Sequence, residues 1–131
     1  MRALRPSPAR VLGAVAIALA AAPSPAAQPA TVTVLLTDYR FVPDRVQFRA
    51  DVPYRLHLEN AGKYLHEFTA PDFFKTTELT NPDIMNAERT EVVLQPHQTK
   101  DLFLVAHTKG TFELTCADHD WEGMVGKITV E

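Results

Sequence analysis

Gly110-Thr111-Phe112-Glu113-Leu114-Thr115-Cys116-Ala117-Asp118-His119-Asp120-Trp121-Glu122-Gly123-Met124-Val125-Gly126-Lys127-Ile128-Thr129-Val130 reads as a strand, a short loop and a returning strand. Side chains alternate across a strand, so Phe112, Leu114 and Cys116 share one face while Glu113 and Thr115 share the other. In the second strand Met124, Gly126, Ile128 and Val130 form the apolar face, opposite Lys127 and Thr129. Both sulfurs therefore start on the core side. The loop between them carries His119 across one end of the domain.

Cys116 is the only cysteine of the chain. An unpaired thiol in an exported protein is buried and inert, joined to another molecule, or bound to a metal. His119 and Met124 lie within nine residues of it, and His66 lies fifty positions upstream, after the turn Asn60-Ala61-Gly62-Lys63. One thiolate, two imidazoles and a weak axial thioether form the ligand set of a mononuclear copper electron-transfer site. The thiolate is a strong soft donor, neutral imidazoles suit both copper oxidation states, and a long thioether bond disfavours the tetragonal geometry of Cu(II). The candidate metal ligands are thus His66, Cys116, His119 and Met124, with one copper ion as the cofactor.

Working outward, turn residues divide the chain into short segments of β character. Strands are expected at Thr31 to Leu36, Val46 to Phe48, Tyr54 to Glu59, His66 to Ala70, Glu91 to Leu94 and Asp101 to Ala106, besides the two already described. Asp38 to Pro43 reads as an irregular link whose Phe41 plugs the core. Asp72 to Arg89 lacks alternation and reads as an excursion with one or two helical turns. Seven or eight short strands at this spacing indicate an all-β sandwich or barrel.

The first residues read as a targeting segment. Arg2, Arg5 and Arg10 form a positive region, Val11 to Ala22 is an apolar run too short to span a bilayer, and small residues follow. Residues 1–27 are expected to be a signal peptide and 28–131 a single periplasmic domain; a retained leader would instead anchor it. Removing the leader costs three arginines and no acids, which takes the formal charge from −3 to −6. An acidic domain has no electrostatic footprint for nucleic acid, and no later stretch could cross a membrane. Nothing in the sequence demands oligomerisation, so a monomer is expected.

The Cys-x2-His-x4-Met spacing resembles the cupredoxin family, and more the plastocyanin and pseudoazurin type than azurin, whose loop is longer. The strands on either side of the loop resemble those of the family. Leu36 to Pro71, with Asp38-Tyr39-Arg40-Phe41 and His66-Glu67-Phe68, resembles small periplasmic cupredoxin-like domains. The resemblance implies a Greek-key β-sandwich, copper held by Cys116, His119, Met124 and His66, and one-electron transfer. Two positions depart from the pattern. Glu67 stands where electron carriers often have an asparagine that bonds across to the ligand strand. Asp118 stands where a proline often precedes the loop histidine.

Asp118, Asp120 and Glu122 surround His119, where many carriers present an apolar docking patch. Negative charge there is expected to favour Cu(II), lower the potential and select a redox protein with a basic docking surface. Trp121 has two readings, an exposed contact residue or a lid over the site. His57 is expected to face solvent, and His97 and His107 to sit in turns. Met85 reads as packing, or as a mobile aid to Cu(I) delivery. A copper trafficking or tolerance module is the alternative to an electron carrier. A copper enzyme of related fold would need a second site built from more histidines than the five present.

Overall fold

The structure is a computed structural model that describes residues 20–131; the charged and most of the apolar part of the expected signal peptide lies outside the described residues. Among the described residues ten strands form: β1 (Ala30–Thr37), β2 (Arg40–Val42), β3 (Arg45–Phe48), β4 (Pro53–Asn60), β5 (His66–Thr69), β6 (Thr77–Leu79), β7 (Glu91–Leu94), β8 (Thr99–Ala106), β9 (Gly110–Thr115) and β10 (Val125–Val130). They make two five-stranded sheets, ordered β2-β1-β4-β8-β6 and β3-β10-β9-β5-β7. Each sheet interleaves strands distant in sequence, as a Greek-key sandwich requires. β1 runs parallel to β4, and β3 runs parallel to β10. No described helix is long and apolar enough to cross a membrane.

The alternation read from the sequence sets the inner faces. Val34 and Leu36 of β1, Leu56 and Leu58 of β4, and Leu102 and Leu104 of β8 meet Val92, Leu94, Leu114 and Ile128 of the other sheet, all buried. Phe41 is buried as expected, but its segment is not irregular. Arg40–Val42 pairs with Leu35–Thr37 as a hairpin. The excursion is also more ordered than its composition suggests. Pro71 opens a one-turn helix, α1 (Pro71–Lys75), where the missing amide proton costs nothing. Phe73 stacks on Phe48 at 5.5 Å and meets Phe112 edge-on at 5.7 Å, which ties the excursion to the core. Thr77–Leu79 then adds an edge strand beside β8.

Candidate metal centre

Cys116 follows the last residue of β9, and the chain then folds back on itself. The His119 N–H donates to the Cys116 carbonyl at 3.0 Å, the Cys116 N–H to the Met124 carbonyl at 3.1 Å, and the Met124 N–H to the His119 carbonyl at 3.2 Å. Asp120–Glu122 forms a 3-10 turn that ends at Gly123, whose φ of 86° is the left-handed conformation glycine adopts without strain. The short loop thereby places Cys116, His119 and Met124 together through its own backbone. Cys116 and Met124 are fully buried, and His119 is half-buried.

His66 enters from the other side. It is the first residue of β5, two strands' registers being locked where Thr69 pairs with Thr115 of β9. Its ring is fully buried, with Nδ1 at 3.8 Å from Cys116 Sγ. His119 Nδ1 lies 3.4 Å from the same sulfur. One donor atom from each of the three side chains falls within 4.8 Å of the others. Two donors bound at ~2.0–2.3 Å to one ion are about 3–4 Å apart. The observed separations match that span, so the donor set fits a single metal ion. A soft sulfur with two imidazoles and a buried thioether nearby suits copper.

Burial pushes the Cys116 thiol up to about 11. Left alone, the sulfur keeps its proton at neutral pH, so its use as a donor depends on a cation to replace that proton. Two groups already touch it. The Glu67 N–H donates to Sγ at 3.3 Å, and the thiol donates to Glu67 Oε2 at 3.3 Å. The same carboxylate oxygen accepts from the Asp118 N–H at 2.9 Å. Glu67 is buried. It therefore makes the cross-link to the loop that asparagine makes in the carriers the sequence resembles, and it adds a carboxylate beside the sulfur.

The back of the site comes from residues that the sequence placed only in a link and a turn, with no part in the metal centre. Asp38, in the β1–β2 turn, accepts a hydrogen bond from His66 Nε2 at 2.7 Å and another from the Lys63 N–H at 2.8 Å. The Lys63 amide, aided by His66, holds this carboxyl below the usual range against a smaller opposing effect of burial. Gly62 is needed there: a Cβ at this position would lie 2.2 Å from Asp38 Oδ1 and 2.9 Å from His66 Nε2. The buried Asn60 shapes the same turn. It donates to the Tyr64 and Leu94 carbonyls and accepts from the Gly62 N–H. Tyr39 covers the donors, with its ring 5.0 Å from that of His119, and it stacks on Tyr64 at 6.0 Å. Burial raises the Tyr39 phenol above its ordinary value.

Trp121 is 76% exposed and its indole N–H donates to the Asp118 carbonyl, so it is a surface residue and not the lid. Tyr39 takes that place. Asp118, Asp120 and Glu122 are all exposed around it. The other histidines lie elsewhere. His57 pairs with Asp101 at 2.6 Å on the outer face of β4, His107 pairs with Asp51 and Glu78, and His97 sits in a turn with φ 64°. Met85 packs against the core.

A profile of the cupredoxin-like domain matches residues 10–130. The chain belongs to the cupredoxin-like family. Its fold is similar to that of auracyanin B, with a TM-score of 0.58 and 17% identity over 85% of this chain and 93% of that one. Auracyanin from the photosynthetic bacterium Roseiflexus castenholzii gives 0.59 and 12%, over 80% and 99%. The periplasmic domain of subunit II of cytochrome oxidase from Bradyrhizobium japonicum gives 0.55 and 13%, over 78% and 83%. At these identities the likeness is one of fold. No curated protein matches the chain. In this cupredoxin-like domain the buried cysteine, the two histidines and the methionine are placed for a single copper site.

Proposed function

We propose that this cupredoxin-like protein is an exported one-electron carrier whose copper is held by Cys116, His66, His119 and Met124. The observation that carries the reading is the convergence of Sγ and two Nδ1 atoms from separate parts of the chain, at 3.4 and 3.8 Å. Bound there, copper supplies a one-electron couple between Cu(I) and Cu(II). The chain supplies the rest. Cys116 gives a thiolate whose hydrogen bond from the Glu67 N–H moderates its charge. His66 is sealed from water, and the β5–β9 pairing fixes its strand. His119 is the least buried of the four and lies under the acidic loop, which makes it the donor nearest a docked partner. His57, His97 and His107 stand apart from the site, which favours a carrier over an enzyme with a second copper centre.

The partner we propose is a redox protein with a basic docking surface, recognised by Asp118, Asp120 and Glu122 around the exposed Trp121. Its exchange rate should fall as salt rises, because exposed charges are screened within about 10 Å at 0.1 M. A salt-independent rate would refute this docking surface.

Copper-loaded protein tests the central reading. The Cys116–copper bond should give an intense blue or green colour with a matching paramagnetic-resonance spectrum, and voltammetry should show fast reversible exchange. Cys116→Ser should abolish the colour. A colourless protein that prefers Cu(I) and yields it to a chelator would overturn the carrier in favour of copper trafficking.

A further inference from the structure

His66 has two ring nitrogens, and they face different chemistry. Nδ1 points to Cys116 Sγ, and Nε2 lies 2.7 Å from Asp38 Oδ1. An ionised carboxylate can only accept, so the proton of this pair sits on Nε2 and the Nδ1 lone pair is free. Asp38 is not placed there by chance contact. Lys63 donates its backbone N–H to the other carboxylate oxygen at 2.8 Å, Gly62 leaves out the side chain that would collide with it, and Asn60 holds the turn that carries both. Only about a fifth of the Asp38 side chain is exposed, and the ring is fully enclosed.

We propose that Asp38 is a positioning residue for the metal centre: its carboxylate fixes His66 in the Nε2–H tautomer, aims Nδ1 at the site shared with Cys116 and His119, and strengthens that nitrogen as a donor. Outer carboxylates of this kind raise the basicity of a histidine ligand and stiffen its orientation. A stronger donor binds the dication more than the monocation. Asp38 thus biases the centre toward Cu(II) from the side opposite the loop. The inference rests on the copper reading, but its first consequence is visible without copper.

Long-range proton–nitrogen correlation spectra of metal-free protein report which His66 nitrogen carries the proton. Of the two neutral tautomers, wild type should show the Nε2–H form alone. Asp38→Ala should show a mixture, and Asp38→Asn, which keeps the shape but not the charge, a weaker bias. In chelator competition both variants should lose Cu(II) affinity by about 10–100-fold, and Cu(I) affinity by less. A loss tenfold greater for Cu(II) than for Cu(I) raises the reduction potential by about 59 mV. A wild-type Nδ1–H tautomer, or an Asp38→Asn protein with unchanged tautomer, affinity and potential, would overturn the assignment. Should wild type bind no copper through its thiol, the carrier reading fails while the tautomer spectra still decide the role of Asp38.

Discussion

Replacing Gly62 with alanine puts one methyl group between the Asp38 carboxylate and the His66 ring. The new Cβ would lie 2.2 Å from Asp38 Oδ1, 2.9 Å from its Cγ and 2.9 Å from His66 Nε2. Ordinary contact starts at 3.4 Å, so the carboxylate must withdraw by more than an ångström. That displacement breaks its bond to His66 Nε2 or to the Lys63 N–H. A hydrogen bond to a charged group contributes about 1.5–3 kcal/mol, and forcing a methyl into a packed site costs about 1–3 kcal/mol. A total near 3 kcal/mol lowers the melting temperature of a domain this size by roughly 12–24 °C, at about 4–8 °C per kcal/mol. Gly123→Ala is the control. Gly123 has φ 86° and no atom within 4 Å of a built Cβ, so only backbone strain of about 1–2 kcal/mol applies. Denaturant titration of metal-free single variants should separate the two. In an Asp38→Ala background two of the three close contacts vanish, and the cost of Gly62→Ala should fall below about 1 kcal/mol. The coupling of about 2 kcal/mol is well within what contacting residues show. Equal costs of Gly62→Ala in both backgrounds would refute the packing of this turn on the carboxylate.

Glu67→Gln keeps an acceptor for the Asp118 N–H but removes a charge beside the sulfur, so the fold should persist and the reduction potential should rise; an unchanged potential in voltammetry would show that the carboxylate is not felt at the metal. Met124→Gln should retain copper and lower the potential, because a harder oxygen donor favours Cu(II); no change would show that the thioether is not an axial ligand. His107 is raised above 6.5 by its bonds to Asp51 and then Glu78. A raised folded value means its contribution is complete below the unfolded value and is lost as pH rises through the folded one. The stability gap between wild type and His107→Gln should therefore shrink from pH 6 to pH 9, measured by urea unfolding.

Much of this centre was legible in the sequence because its information is local. Cys116, His119 and Met124 are set by a loop of fixed length closed by its own backbone bonds, and strand parity alone turns both sulfurs inward. The eight strands with clear alternation form close to their expected bounds. β2 and β6 did not register because three residues are too few to display a period. Their pairing depends on neighbours in the sheet, not on composition. Asp38 and Tyr39 escaped for a different reason. They belong to the β1–β2 turn and reach His66 only because β1 runs parallel to β4, with Leu36 opposite Asn60. That pairing sets the turn after β1 against the turn after β4, and no local pattern announces it. Gly62 was read as a turn residue; its second duty, to leave space for a carboxylate, depends on a contact across the sheet.

The sequence directs attention to the three acids of the loop as the source of negative charge at the metal, yet the structure separates two kinds of acid. Asp118, Asp120 and Glu122 are exposed, so salt screens them. Glu67 is buried against the sulfur, and Asp38, with about a fifth of its side chain exposed, lies 2.7 Å from the buried imidazole, a range too short for salt to screen. Each of these two carboxylates is also held by a backbone N–H, from Asp118 and Lys63 respectively, which fixes its position. On the proposed reading the labour divides by position: Glu67 and Asp38, against the donors, would set the potential, and the exposed trio would set the encounter with a partner. Raising the ionic strength from 0.01 to 1 M should then slow exchange with a basic partner while leaving the reduction potential nearly constant. A potential that climbs in step with salt would place the controlling charges on the loop and remove Asp38 and Glu67 from that role.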